Sequence, residues 1–212
     1  KTSMNVALSH DNASASGSDN SIFVYRYIAE GNTPSVHSFV SNNGVDDNRT
    51  FGVVEGSTYY ILVGVNSSFG SSSSGYTRYR YGLLASFGTE VYELEQNNTT
   101  TTAHSITAGT TYTGGYDGVY TEDSYSPDDY FKVTASSNTM TVSLSHVSAL
   151  ATASDWDVYV YNSSGTQVDG FSADNGVNGS NNTTVTSGQL YYIGVESQNS
   201  YTTYKYTLTA SF

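Results

Sequence analysis

Tyr204-Lys-Tyr-Thr-Leu-Thr-Ala-Ser-Phe212, the closing run of the chain, decides the fold. Tyr204, Tyr206, Leu208, Ala210 and Phe212 share one parity and Lys205, Thr207, Thr209 and Ser211 the other. That period of two is the mark of a strand with one buried face. The same inward set stands earlier as Tyr79, Tyr81, Leu83, Ala85 and Phe87, an offset of 204 − 79 = 125 residues. A period of that length is the size of a domain. Working outward, Tyr191-Tyr192 repeats Tyr59-Tyr60, and Met140, Val142 and Leu144 repeat Met4, Val6 and Leu8 at 140 − 4 = 136, the two offsets differing by loop insertions.

The repeat divides the chain into an incomplete first β-sandwich over residues 1–88 and a complete second one over 89–212, joined by the short run Gly88 to Glu90. Tyr59, Ile61, Val63 and Val65 form an inward face, as do Phe131 with Val133 and Trp156, Val158 and Val160. Short strands are also expected over 50–54, 91–95, 104–108, 110–116, 168–171 and 183–186, with a hairpin loop over the Gly and Ser tract 70–75. Several short strands at regular spacing, separated by turn chemistry, predict an all-β chain of two antiparallel jelly-roll-like β-sandwich domains in tandem, with an immunoglobulin-like sandwich as the alternative. The first copy lacks a counterpart of residues 91–136, so its sandwich is expected to expose a sheet edge and one side of its core.

Composition narrows the partners. Of 212 residues 37% are hydrophobic and only 12% charged, with 20 Gly, so Ser, Thr and Asn supply the polar surface and helix is disfavoured. The net charge is −12 with 7 Lys and Arg, which argues against nucleic acid or an anionic membrane as partner and leaves cations open. Without cysteine there is no disulfide, zinc thiolate or thiol nucleophile. No apolar run approaches the roughly 20 residues of a spanning helix, and a start at Lys1 reads as a mature or excised product.

The second copy resembles the bacterial pre-peptidase C-terminal domain family, on Glu93-x-Glu95-x-Asn97-Asn98-Thr99, Ala103, Gly109, Asp128-Asp129-Tyr130-Phe131, Asp155-Trp156-Asp157-Val158-Tyr159-Val160-Tyr161, Gly188, Tyr191-Tyr192-Ile193-Gly194-Val195 and Tyr204-x-Tyr206-x-Leu208. The likeness spans residues 91–212. In the first copy only the later part matches, with Asn20 and Ser21 where the second has Trp156 and Asp157. The resemblance implies a small jelly-roll sandwich without catalytic residues, serving secreted proteins as a targeting, solubilising or adhesive module. In related collagen-binding domains a leading acidic segment and a later Asp pair hold calcium. Carried over, Glu93, Glu95, Asn97, Asp128 and Asp129 become the metal candidates and calcium the implied cofactor. Spacing at i, i+2, i+4 would set three oxygen donors on one strand face, as a hard cation needs. Equally, Glu93 and Glu95 read as a solvated edge that discourages strand addition, and Asp128 with Asp129 as a turn. No such site is expected in the first copy.

His10 and His146 each follow a Ser, but neighbours on a strand point to opposite faces, so a Ser-His nucleophile is not formed. No nucleophile elbow, phosphate loop or zinc helix motif is present, and enzymatic activity is not expected. Among the 20 Tyr, Tyr59, Tyr79, Tyr81, Tyr191, Tyr204 and Tyr206 fall on the inward parity, whereas Tyr25, Tyr60, Tyr159, Tyr161 and Tyr192 fall outward and are the interaction candidates, for an extracellular protein or a polysaccharide. The expected function is a secreted or cell-surface structural and adhesive module that self-associates into a homopolymeric filament through inter-chain strand contacts. The alternative is a substrate-binding or accessory region of a secreted peptidase.

Overall fold

The computed structural model of the chain describes residues 2–10, 20–29, 33–41, 46–65, 81–95, 97–115, 129–147, 155–197 and 205–212. Among these residues the chain is all-β, without a helix, and it divides between Glu90 and Val91 into two compact units. The tract 70–75, Tyr79, Asp128 and Tyr204 lie outside the described residues.

The first unit contains β1 (Ser3–His10), β2 (Asn20–Arg26), β3 (Ser35–Ser41), β4 (Asp47–Gly52), β5 (Tyr59–Val65) and β6 (Tyr81–Gly88). They form two antiparallel three-stranded sheets, β4-β1-β6 and β3-β2-β5. Alternation on β1 and β2 sends Met4, Val6, Leu8, Ile22 and Val24 between the sheets, where they join Val36, Phe39, Phe51 and Val53 in one core.

The second unit contains β7 (His104–Ser105), β8 (Thr111–Gly115), β9 (Asp129–Thr134), β10 (Thr139–His146), β11 (Trp156–Asn162), β12 (Gln167–Ala173), β13 (Gly179–Thr184), β14 (Leu190–Ser197) and β15 (Lys205–Ser211). Its sheets run β13-β10-β15-β8 and β12-β11-β14-β9-β7, antiparallel except for the short parallel pair of β7 with β9. Met140, Val142, Leu144, Val158, Ile193, Leu208 and Phe131 are fully enclosed between them. Truncating one such side chain to alanine removes about 2–5 kcal/mol.

Strand order reveals the duplication directly. In the first unit β4-β1-β6 has the order of β13-β10-β15, and β3-β2-β5 that of β12-β11-β14. Even the irregularity is repeated: the register shifts between Val24 and Tyr25 and again between Val160 and Tyr161, the same 136-residue offset. What the second unit adds is β8 outside β15, and β9 with β7 outside β14.

A turn of one design occurs three times. Gly56, Gly109 and Gly188 have φ of 81°, 77° and 82°, a backbone state that glycine reaches without strain. Each sits in a turn closed by an N–H···O bond, Ser57 to Val54, Thr110 to Thr107 and Gln189 to Thr186, all at 3.1 Å. Three residues beyond the glycine, the hydroxyls of Tyr59, Tyr112 and Tyr191 accept the N–H of Val54, Thr107 and Thr186 at 2.8, 3.0 and 2.9 Å.

Two expectations need correction. Residues 91–95 are not a regular strand; they make a single parallel bridge, Tyr92 to Thr113. In the first unit Tyr81, read as core, is 49% exposed, and Leu83 and Phe87 of the same parity are 41% and 55% exposed, with Ala85 exposed too. Their parity is inward, since they pair with buried Leu8, Val6 and Met4 or with His10 on β1. They are exposed because, among the described residues, no strand lies outside β6 to close the sandwich there.

Candidate functional site

The strands added to the second unit enclose a cluster of acids. The segment after Val91 runs beside β8, with Glu93 N–H on the Thr113 carbonyl and Thr113 N–H on the Val91 carbonyl, both 2.9 Å. This turns the Glu93 side chain inward, where it is 5% exposed and its Oε1 accepts the Gly115 N–H at 2.8 Å. Glycine at 114 makes the approach possible: a Cβ there would stand 2.8 Å from Glu93 Oε1 and inside the contact distance of the Tyr206 phenol. Asn97 is fully buried and donates Nδ2 to Glu93 Oε2 at 3.2 Å, while its carbonyl accepts Tyr130 N–H at 2.8 Å and ties the segment to β9.

Asp129 opens β9 and is buried, and Glu95 is half-buried. Oxygens of Glu93, Glu95 and Asp129 all lie within 4.8 Å of one another. From β15, the Tyr206 hydroxyl faces Asp129 Oδ2 at 2.6 Å and Glu93 Oε2 at 3.2 Å. Burial, with the neighbouring Asp129 and Glu93, raises the Tyr206 pKa well above the ordinary phenol range, so the group stays a proton donor. Its ring meets the indole of Trp156 edge to face, with centroids 4.9 Å apart.

Three carboxylates this close, withdrawn from water, repel one another strongly. A cation in their midst reverses that energy, and the arrangement can hold a metal ion. The donors fit a hard one. All are oxygens, without thiolate or imidazole, which suits calcium or magnesium better than zinc or copper. The Asn97 amide meets the cluster through Nδ2 on Glu93 Oε2, and its Oδ1 is buried without a hydrogen-bond partner, a state costing about 1–3 kcal/mol. His104 stands aside as a structural group. Its Nδ1 accepts the Leu94 N–H at 3.2 Å, and burial reinforced by Lys132 lowers its pKa to about 4, so it remains neutral.

Of the metal candidates read from sequence, Glu93, Glu95, Asn97 and Asp129 converge, and Asp128 lies outside the described residues. They converge by a different route from the one expected. An irregular segment folded against β8 and β9 brings the donors in, rather than one face of a strand. Tyr206 was read only as core; its inward parity gave its place but not its bonds. Gly114 and Gly115 carried a weak signal, a glycine pair ending a strand next to a tyrosine-rich sheet.

The outward tyrosines follow their parity. Tyr60 is 54% exposed, and Tyr25, Tyr159, Tyr161 and Tyr192 are half-buried. In the second unit Tyr159 and Tyr161 have ring centroids 6.2 Å apart, and Tyr130, which sequence reading passed over, lies 6.2 Å from Tyr161. Its position next to inward Phe131 was the available signal. Gly194 lies beneath, where a Cβ would come within 3.3 Å of both Tyr130 and Tyr161. The Tyr159 hydroxyl donates to Asp157 at 3.2 Å, and desolvation with that carboxylate pushes its pKa up to about 12. In the first unit Phe23 and Tyr25 stand where Tyr159 and Tyr161 do, with centroids 6.4 Å apart.

No helix among the described residues is long and apolar enough to cross a membrane. No family model matches the chain, and no curated protein matches it. Among solved structures, the crystal structure of PBSX exported protein XepA aligns with 99% of this chain and 76% of its own, at 9% identity and a TM-score of 0.22. A score that low decides neither fold nor function.

Proposed function

We propose that the chain is a non-catalytic structural or adhesive module of the cell exterior whose second unit is fastened by calcium. The observation that carries this reading is the buried acid cluster. Oxygens of Glu93, Glu95 and Asp129 lie within 4.8 Å of one another, the Asn97 amide holds Glu93 through Nδ2, and the Tyr206 hydroxyl donates to Asp129 and Glu93. Calcium suits a shell of several neutral and anionic oxygens from different elements better than magnesium, which demands a near-ideal octahedron and keeps its water. A cation there would pin Glu93 and Glu95 of the irregular segment to Asp129 of β9. Its role is mechanical rather than catalytic, since the donors face the core.

Three features support the setting. The sequence resembles the pre-peptidase C-terminal domain family across 91–212, and a surface of Ser, Thr and Asn replaces charged residues. Aromatic side chains at matching outward positions in both units, Phe23 with Tyr159 and Tyr25 with Tyr161, suit adhesion to a polysaccharide or protein through flat apolar faces with polar tips.

Thermal unfolding of the whole chain in millimolar calcium and in chelator tests the proposal. Calcium at a hundredfold excess over its dissociation constant is expected to stabilise the second unit by about 2.7 kcal/mol. Magnesium at the same concentration should give a smaller rise. An unfolding curve that does not move between calcium and chelator rejects the calcium reading.

A further inference from the structure

The second unit shows what the first one lacks. Outside β15 lies β8, antiparallel, with Tyr112 turned into the core, and outside β14 lies β9, whose Phe131 and Val133 do the same. In the first unit the corresponding strands β6 and β5 each have one neighbour among the described residues. Both belong to the same side of that sandwich, because β4 and β3, at the far ends of the two sheets, approach each other at its other side. The exposed residues record the gap: Tyr81, Leu83 and Phe87 on the inward parity of β6 are 49%, 41% and 55% exposed, while the outer faces of β6 and β5 add the apolar Leu84, Tyr60 and Leu62 at 64%, 54% and 52%.

We propose that this open side is an interface for a second copy of the chain, related by a twofold axis, with β6 pairing antiparallel to β6 and β5 to β5 of the second copy. The inference rests on the reading of the chain as a structural module and names its partner. Three observations select a second copy. First, among the described residues two edges are open at once; one donated strand completes one of them, whereas a twofold partner meets both. Second, the chain carries a net charge of −12, yet neither Tyr81–Gly88 nor Tyr59–Val65 contains a charged side chain. Two copies repel elsewhere and meet no like charge here, and such edges carry none of the lysines that commonly discourage pairing. Third, β6 is complementary to itself. Antiparallel pairing centred on Ala85 sets each Leu83 opposite Phe87 of the second copy, and each Gly82 opposite Gly88, so large side chains meet across the axis above the core.

The chain has no cysteine, so a single introduced one reports the contact cleanly. Sedimentation of the full chain at tens of micromolar should give a dimer, in calcium and in chelator alike. Ala85→Cys should cross-link to a dimer under mild oxidation, whereas Val168→Cys, exposed in the second unit, should not. Leu84→Lys with Leu62→Lys, both more than half exposed and outward, should weaken the dimer at least tenfold while leaving the β-sheet spectrum unchanged. A monomer at these concentrations overturns the proposal. So do fibres, or a dimer that Ala85→Cys does not trap and the two lysines do not weaken. Because the calcium reading is judged by unfolding and this one by mass, either can fail alone.

Discussion

Tyr206 shows how one side chain serves two purposes. Its ring fills the core against Trp156, and its hydroxyl orders two carboxylates of the acid cluster. Phenylalanine keeps the first and loses the second. Tyr206→Phe is therefore expected to fold, and to bind calcium about 10–100-fold more weakly, as outer groups that orient ligands do when removed. Calcium titration followed by tryptophan fluorescence checks it. His104 makes a different residue-scale prediction. Held neutral with a pKa of about 4 against the ordinary 6.5, it refuses a proton that the unfolded chain accepts. Its contribution is intact above pH 6.5 and is lost as pH falls from there towards 4. Replacing it by Gln, which keeps an acceptor for Leu94 N–H, should flatten that part of the profile, read as the difference in thermal midpoint between pH 7.5 and 5.

At the scale of the element, the thrice-used Gly-x-x-Tyr turn explains why strands of modest length begin where they do. The tyrosine hydroxyl at the start of β5, β8 or β14 satisfies an N–H of the preceding turn, so the strand and its turn form one unit. Tyr191→Phe removes that bond and leaves the N–H of exposed Thr186 to water, which should cost about 0.5–1.5 kcal/mol. Gly188→Ala meets no neighbour but must hold a left-handed backbone, at about 1–2 kcal/mol. Denaturant unfolding of the two variants, with unchanged slope, checks both. These turns were legible only as isolated glycines; the bond from a tyrosine three residues on needs the fold to be seen. Strand parity was more legible. The alternation in β15 and β6 is the same, and it assigned the inward side in each. It did not predict burial in β6, because burial depends on the neighbouring strand, and β6 has none outside it among the described residues.

For the whole molecule, the duplication was readable from two offsets, 125 and 136, and the strand orders agree with it down to a shared register shift. The donor set of the acid cluster was half-readable. Residue types and order pointed to Glu93, Glu95, Asn97 and Asp129, but local spacing says nothing of Tyr206, more than a hundred residues away. One feature of the first unit also governs how it would carry load. Its first and last strands lie side by side, with Ser3 opposite Gly88, and Thr2 bonded to the carbonyls of Gly88 and Glu90. A pull on residues 2 and 90 therefore acts on adjacent points at one end of the β1–β6 ladder. It opens the ladder one rung at a time, like a zip, instead of shearing all rungs together. Under tension this unit yields early and pays out slack, and the force at which it does so is set by the few bonds at that single end.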